Sequence, residues 1–247
     1  MSVAGRGQQY SRCWSQGRRR YPGDVSAIDD RSASAPAEDY VKAIYALTRG
    51  DRAAASTSDL ARRLGLTPGS VSTMLKRLDK AGLVEHVPYH GVRLSTAGAQ
   101  VALTVVRRHR LLELFLHETL EIPWEDVDRF AERLEHAVDD ELIEIIATRL
   151  GHPTTDPHGD PIPDRELHVD DHTARRLDEL EPGEQGVIVR VSDSDPAMLR
   201  FLTEQGIGIG DEVQVTGRQP FGGPCEIRID GRIHQLGVAL AHAIQVR

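Results

Sequence analysis

The sequence predicts a mainly α chain with a small β domain at its C-terminal end. Three observations lead there. Two short capped helices separated by a glycine turn run into a pair of alternating strands between 56 and 97. Amphipathic helical periodicity fills 98–150, and short β-rich runs begin near Gly186. Hydrophobic residues make up 39% of the 247 positions but aromatics only 4%, so the cores are built from Leu, Val and Ala.

The same composition sets limits. No apolar run approaches the roughly 18 residues of a membrane span, so no membrane partner is expected. Arg18, Arg19 and Arg20 are followed by no apolar stretch, which argues against a secretion signal and for a cytoplasmic protein. Cys13 and Cys225 are too far apart to suggest a metal pair or a disulfide framework. The net charge of -8 is unevenly spread. Between Glu118 and Glu144 eleven acids face only Arg129 and Arg133, whereas Arg62, Arg63, Lys76, Arg77, Lys80 and Arg93 outnumber the acids between Ser56 and Thr96. One part suits phosphate and the other suits cations.

Residues 1–36 show no apolar periodicity and read as a disordered basic tail. Pro36 opens a helix with Val41, Ile44, Tyr45 and Leu47 spaced for burial and Asp39 in its first turn. Ser56–Ser58 cap a helix that ends at Gly65; Thr67 and Pro68 start the next, which runs through Val71, Leu75 and Leu78. Two strands flank His90 and Gly91 as a wing. The whole of 37–97 thus reads as a winged helix-turn-helix DNA-binding domain. Thr67, Gly69, Ser70, Ser72 and Thr73 lie where such a helix enters the major groove, and Lys76, Arg77, Lys80 and Arg93 would clamp phosphates. The hydroxyls are equally suited to capping alone.

Thr96 caps a long helix to about Leu120, on which His109, Glu113 and His117 recur every four residues beside an apolar stripe. Pro123 starts another, read as reaching about Val138. There Val127, Phe130, Ala131, Leu134 and Val138 form one stripe, while Asp128, Glu132, Glu135 and His136 share a separate sector of ~100°. Three carboxylates and an imidazole so close repel one another unless a cation sits among them. A further helix begins near Asp139, and the surplus apolar surface of 98–150 calls for self-association. From 151 to 181 Pro153, Pro157, Pro161 and Pro163 mark a linker, although Asp156, His158 and Asp160 could bind a cation. The remainder, 182–247, carries strand-like runs around a helix near Pro196–Gln205, as in a small SH3-type β-barrel.

These residues resemble the diphtheria-toxin-repressor family of metal-dependent transcriptional repressors, closest to three-domain manganese-responsive regulators. The winged helix, Arg107–Glu113, Glu132-x-x-Glu135-His136 and the linker from Asp156 to Pro163 carry the resemblance. It implies a metal-binding and dimerisation domain over 98–150 and a C-terminal barrel similar to iron-transport (FeoA) accessory domains. It also implies a primary metal site of Asp39, Glu132, Glu135 and His136, and an ancillary site of His109, Glu113 and Asp128, where Asp128 replaces a histidine. Asp193 and Asp195 are further ligand candidates from the third domain. Lys42 stands where compact manganese-responsive members carry a glutamate.

Oxygen donors with a single imidazole suit Mn(II), or Fe(II), and the absence of thiolate tilts the choice to manganese. The expectation is a homodimer that grips a palindromic double-stranded operator when loaded with Mn(II), represses manganese-uptake genes and takes no small organic substrate. An Fe(II)-dependent repressor of iron genes is the alternative. A regulator sensing an organic ligand or a protein partner is a third reading. A dinuclear metal hydrolase is a different class, which lacks a recognisable nucleophile here.

Overall fold

The computed structural model describes residues 34–49, 54–87, 89–170 and 173–247. The expected basic tail therefore lies outside the described residues, except that its last members already belong to a helix. Helix α1 spans Ala35–Thr48, with Ser34 as its N-cap and Pro36 in its first turn. It starts one residue before the proline, as a fixed φ near -65° permits.

Helix α2 (Thr57–Leu64) is capped by the Ser56 side chain, which accepts from the Asp59 amide, and stopped by Gly65 in the left-handed region. Helix α3 (Pro68–Lys80) is capped by Thr67. Strands β1 (Val84–Val87) and β2 (Gly91–Leu94) pair antiparallel with Glu85 opposite Arg93. Tyr40, Val41, Ile44, Leu60, Val71, Leu75, Leu78, Val84 and Val92 form their common core.

Helix α4 (Thr96–Leu120) is the axis of the middle region. Its cap is Ser95 rather than Thr96, because the Ser95 side chain reaches the Gly98 amide. Every residue from His109 to Leu114 is buried, since α1, α5 and α6 cover several sides of this helix. Helix α5 (Trp124–Leu134) is shorter than periodicity suggests: Glu135 is its C-cap, and Glu135 and His136 sit in the turn beyond. Helix α6 (Asp140–Arg149) is capped by Asp139, and Leu111, Leu112, Leu114, Ala131, Ile143, Ile146 and Ile162 make the second core.

The expected linker needs correction. Among the described residues before Arg175 it contains no helix and no strand, yet Asp156, His158, Gly159, Pro161, Ile162 and Pro163 are buried. The Asp156 carboxylate accepts from the amides of His158 and Asp160, both at 2.9 Å, and folds the segment into a tight loop. The His158 carbonyl accepts from the Val191 amide at 2.9 Å, which ties the loop to the C-terminal domain. Gly159 (φ +84°) is needed there, because a Cβ would lie 2.0 Å from the Val189 carbonyl oxygen.

The β domain also begins before 182. Strand β3 (Arg175–Arg176) and a 3-10 turn (Leu177–Glu179) precede β4 (Gln185–Val191), and Leu177 and Leu180 are core residues. Then follow α7 (Pro196–Gln205), β5 (Glu212–Arg218), β6 (Cys225–Ile229), β7 (Arg232–Leu236), α8 (Val238–Ala243) and β8 (Ile244–Val246). They form one antiparallel sheet of order β3-β8-β4-β5-β6-β7. Strand β7 buries only Leu236 and helix α8 is only 6 residues long, so neither gives a clear period in the sequence alone. No helix among the described residues is long and apolar enough to cross a membrane.

One side chain joins the three regions. Asp160 Oδ1 lies 2.9 Å from Arg49 at the end of α1, 3.1 Å from Arg110 on α4 and 3.7 Å from Arg190 on β4. Burial works against its charge, but the three guanidiniums win and hold its carboxyl below the usual range.

Candidate metal centre

Helix α1 brings Asp39 to the end of α5, where Asp39, Glu135 and His136 each offer a ligand atom within 4.8 Å of the others. His136 Nε2 lies 2.8 Å from Asp39 Oδ1 and 3.5 Å from Glu135 Oε1. Three of the four residues of the expected primary site are thus together. Glu132 groups instead with His109 and Asp128. The two trios touch, because Glu135 Oε2 also lies 2.6 Å from His109 Nδ1.

Between the two trios lies the ammonium of Lys42. It donates to Glu132 Oε1 at 2.6 Å and to Glu135 Oε2 at 2.8 Å, and sits 2.9 Å from His109 Nδ1. Burial opposes the charge on Lys42, but the two glutamates outweigh it and raise its pKa. Glu135 is fully buried. Burial would push its carboxyl up, but hydrogen bonding to His109 and the charge of Lys42 depress it. Lys42 thus partly balances this carboxylate pair from within the chain.

The expected ancillary residues also meet. His109 Nε2 is 3.3 Å from Glu113 Oε1 and 3.4 Å from Asp128 Oδ1. Asp193 joins Glu113 and Asp128 within the same 4.8 Å limit. Asp195 does not join them: its side chain accepts from the Ala197 amide as the N-cap of α7. His117 spends Nδ1 on the Ile122 carbonyl at 2.8 Å.

The linker supplies what sequence reasoning undervalued. Glu113, Asp156 and His158, all buried, form another trio. His158 Nε2 faces the Trp124 carbonyl at 2.9 Å, an acceptor only, so Nε2 carries a proton and Nδ1 is the nitrogen that could face a cation. That Nδ1 and Glu113 Oε1 are both buried without a hydrogen-bond partner, 3.8 Å apart. Burial, then Glu113 and Asp160, push Asp156 up to about 8. Burial and Glu113 likewise raise Asp193. Orphaned donor atoms amid carboxyls that resist ionisation fit a divalent cation. A cavity of about 200 Å³ reaches from Lys42 to Asp193 along these groups. The sequence signal was the Asp-x-His pair followed by glycine and Ile162, too polar to be read as buried.

On the winged helix, Gly69, Ser72, Lys76, Arg77 and Lys80 are exposed along α3. The three other hydroxyls have local duties. Thr67 and Ser70 bond each other at 2.9 Å, and Thr73 donates to the Gly69 carbonyl at 3.0 Å. Arg93 pairs across the wing with Glu85 at 2.8 Å, while both stay exposed.

A winged helix joined to a helical domain lined with cation ligands defines a metal-dependent DNA-binding regulator. Family models agree: "Iron dependent repressor, N-terminal DNA binding domain" matches 33–92, "Iron dependent repressor, metal binding and dimerisation domain" matches 95–164, and "FeoA domain" matches 175–247. The iron-dependent repressor IdeR of Mycobacterium tuberculosis is 30% identical over 220 residues, 85% of this chain and 95% of that one. The diphtheria toxin repressor of Corynebacterium glutamicum is 30% identical over 85% of this chain and 94% of its own. A solved manganese-dependent transcriptional repressor in complex with manganese is 40% identical, with a TM-score of 0.81 over 85% of this chain and 98% of the other. The chain belongs to the diphtheria-toxin-repressor family of metal-dependent transcriptional repressors. It is a regulator of transcription and not an enzyme, which removes the hydrolase reading.

Proposed function

We propose that this repressor is activated by Mn(II), binds a palindromic operator as a homodimer and controls manganese-uptake genes. The observation that carries the metal assignment is the donor chemistry: Asp39, Glu135 and His136 offer two carboxylates and one imidazole, and no sulfur. The manganese-bound relative at 40% identity supports the same choice. The iron-dependent relatives support Fe(II) as the competing reading.

A divalent ion supplies the positive charge that the carboxylates of these clusters lack. The chain's own residues turn that into a signal. Asp39 belongs to α1, which packs on the helix-turn-helix core, while Glu135 and His136 end α5. Holding these side chains together fixes the angle between the reading head and the helical domain. Glu113, Asp156, His158 and Asp193 do the same for α4, the linker and the β domain. Two heads so fixed present α3 of each protomer to successive major grooves. Without that restraint the heads must be ordered by DNA itself, a coupling of ~1–3 kcal/mol or about 5–150-fold in affinity.

The test is operator binding after exhaustive EDTA treatment, then titration with Mn(II), Fe(II), Co(II) and Zn(II). We expect a gain within that range with Mn(II) and its loss in His136→Ala. Equal binding with and without chelator contradicts metal activation, and a response to Fe(II) but not Mn(II) selects the iron reading.

A further inference from the structure

His136 is held on both edges. Its Nε2 faces Asp39 Oδ1 at 2.8 Å and Glu135 Oε1 at 3.5 Å. Its Nδ1, on the other side of the ring, lies 2.6 Å from Glu38 Oε2. Glu38 and Asp39 are consecutive on α1, so the first turn of one helix grips the same imidazole with two carboxylates. Glu38 stands outside the trio of ligand atoms that converge within 4.8 Å. Its carboxylate is mostly buried, with the Arg108 guanidinium 4.0 Å from its other oxygen. Arg108 in turn donates to Asp140 Oδ1 at 2.8 Å, at the start of α6.

We propose that Glu38 is a positioning residue for the metal centre, accepting the Nδ1 proton of His136 and so presenting Nε2 as the ligand nitrogen. The inference rests on the assignment of His136 as a ligand. A carboxylate can only accept, so the edge facing Glu38 carries hydrogen. The edge facing Asp39 and Glu135 is the one shared with other ligands, and there a cation replaces the proton. An acceptor of full charge behind the ring also makes Nε2 a stronger donor to the ion. The row from Asp140 through Arg108 and Glu38 to His136 then links the ring's orientation to α4 and α6 as well as α1. A simpler role for Glu38, balancing the positive end of α1, would leave metal affinity almost unchanged when the charge alone is removed.

The experiment uses the full-length protein and three variants, Glu38→Ala, Glu38→Gln and His136→Ala. Each is titrated with Mn(II) by calorimetry, and the Zn(II)-loaded wild type is examined by 15N NMR of its histidine rings. Expected are coordination through Nε2 with Nδ1 protonated and a 10–100-fold weaker site in Glu38→Ala. Glu38→Gln, which keeps an acceptor, recovers part of the loss. Binding at Glu113, Asp156, His158 and Asp193 stays as in the wild type and reports an intact fold. Wild-type affinity in Glu38→Ala, or a metal on Nδ1, overturns the proposal. If His136→Ala loses the site while Glu38→Ala keeps it, only the positioning role fails. If His136→Ala binds Mn(II) as before, the ligand assignment fails and takes the proposal with it. Should Glu38→Ala not fold, Glu38→Gln and the wild-type spectrum decide.

Discussion

At the scale of single residues, the metal centre is a matter of which lone pairs are left over. Among the described residues, the buried side-chain atoms without a hydrogen-bond partner are Glu125 Oε2, Glu113 Oε1 and His158 Nδ1, and the last two face each other. His158 is further defined by Trp124, whose ring lies 5.9 Å away at an interplanar angle of 21°. The Trp124 indole N–H donates to Thr203 on α7 at 2.7 Å, so the tryptophan is held in place from the β domain. Its emission should therefore report a metal on His158. Titrating the chelator-treated protein with Mn(II) or Co(II) is expected to quench Trp124, and His158→Ala to abolish that response while leaving the Asp39–Glu135–His136 site able to bind. Unchanged quenching in His158→Ala would remove this histidine from the ligands. In the sequence these atoms were legible only as an Asp-x-His pair in a proline-rich stretch. Nothing local shows that Gly159 lets the loop press against β4.

At the scale of elements, α3 was legible almost completely, because its start, its buried stripe and its charged end are local properties of the chain. Lys76 and Arg77 are exposed on it, as a phosphate contact requires. Each of Lys76→Ala and Arg77→Ala should weaken operator binding about equally across sequences and reduce the salt slope of binding by about one. Gel shifts over a range of salt concentrations measure this, and an unaltered slope would exclude the residue from the clamp. Arg93 is expected to contribute less, since Glu85 already partners it. Helix α5 shows the opposite lesson. Its period alone put Glu132, Glu135 and His136 on one face, but the helix stops at Leu134 and the backbone turns. Glu132 groups with His109 and Asp128, Glu135 and His136 group with Asp39, and Lys42 lies between the two glutamates.

At the scale of the whole molecule, titration joins the clusters to stability. Asp156 is pushed up to about 8, by burial first and then by Glu113 and Asp160. Burial opposes a charge on His109, but Glu113 and the hydrogen bond with Asp128 outweigh it, and its pKa lies well above the ordinary value. Between the ordinary carboxylate range and about pH 8 the folded chain keeps a proton on Asp156 that the unfolded chain has released. His109 acts in the same direction above its ordinary value. Both contributions are present at lower pH and are lost as the pH rises through the folded values. The depressed groups, Glu135 and Asp160, have finished titrating well below neutrality and add no slope there. The thermal midpoint of metal-free protein should therefore fall from about pH 6 to about pH 8. Saturating Mn(II) should flatten or reverse that trend, because the ion displaces the same protons. Differential scanning fluorimetry at both pH values decides; a metal-free midpoint that rises with pH contradicts the account.

The sequence by itself determined the helix-turn-helix and its wing, which follow from caps, periodicity and spacing within a few turns of chain. The middle and C-terminal domains and the candidate ligands were legible through the family resemblance that its motifs carry. Only the tertiary structure decided which ligands share a cluster, that Glu38 backs His136, that Lys42 sits between two trios, and that the linker is a buried part of the centre. Such pairings join residues far apart in the chain, as with Asp39 and His136 or Glu113 and His158. They depend on how α1, α4, α5 and the β domain pack around one another, which no local pattern encodes.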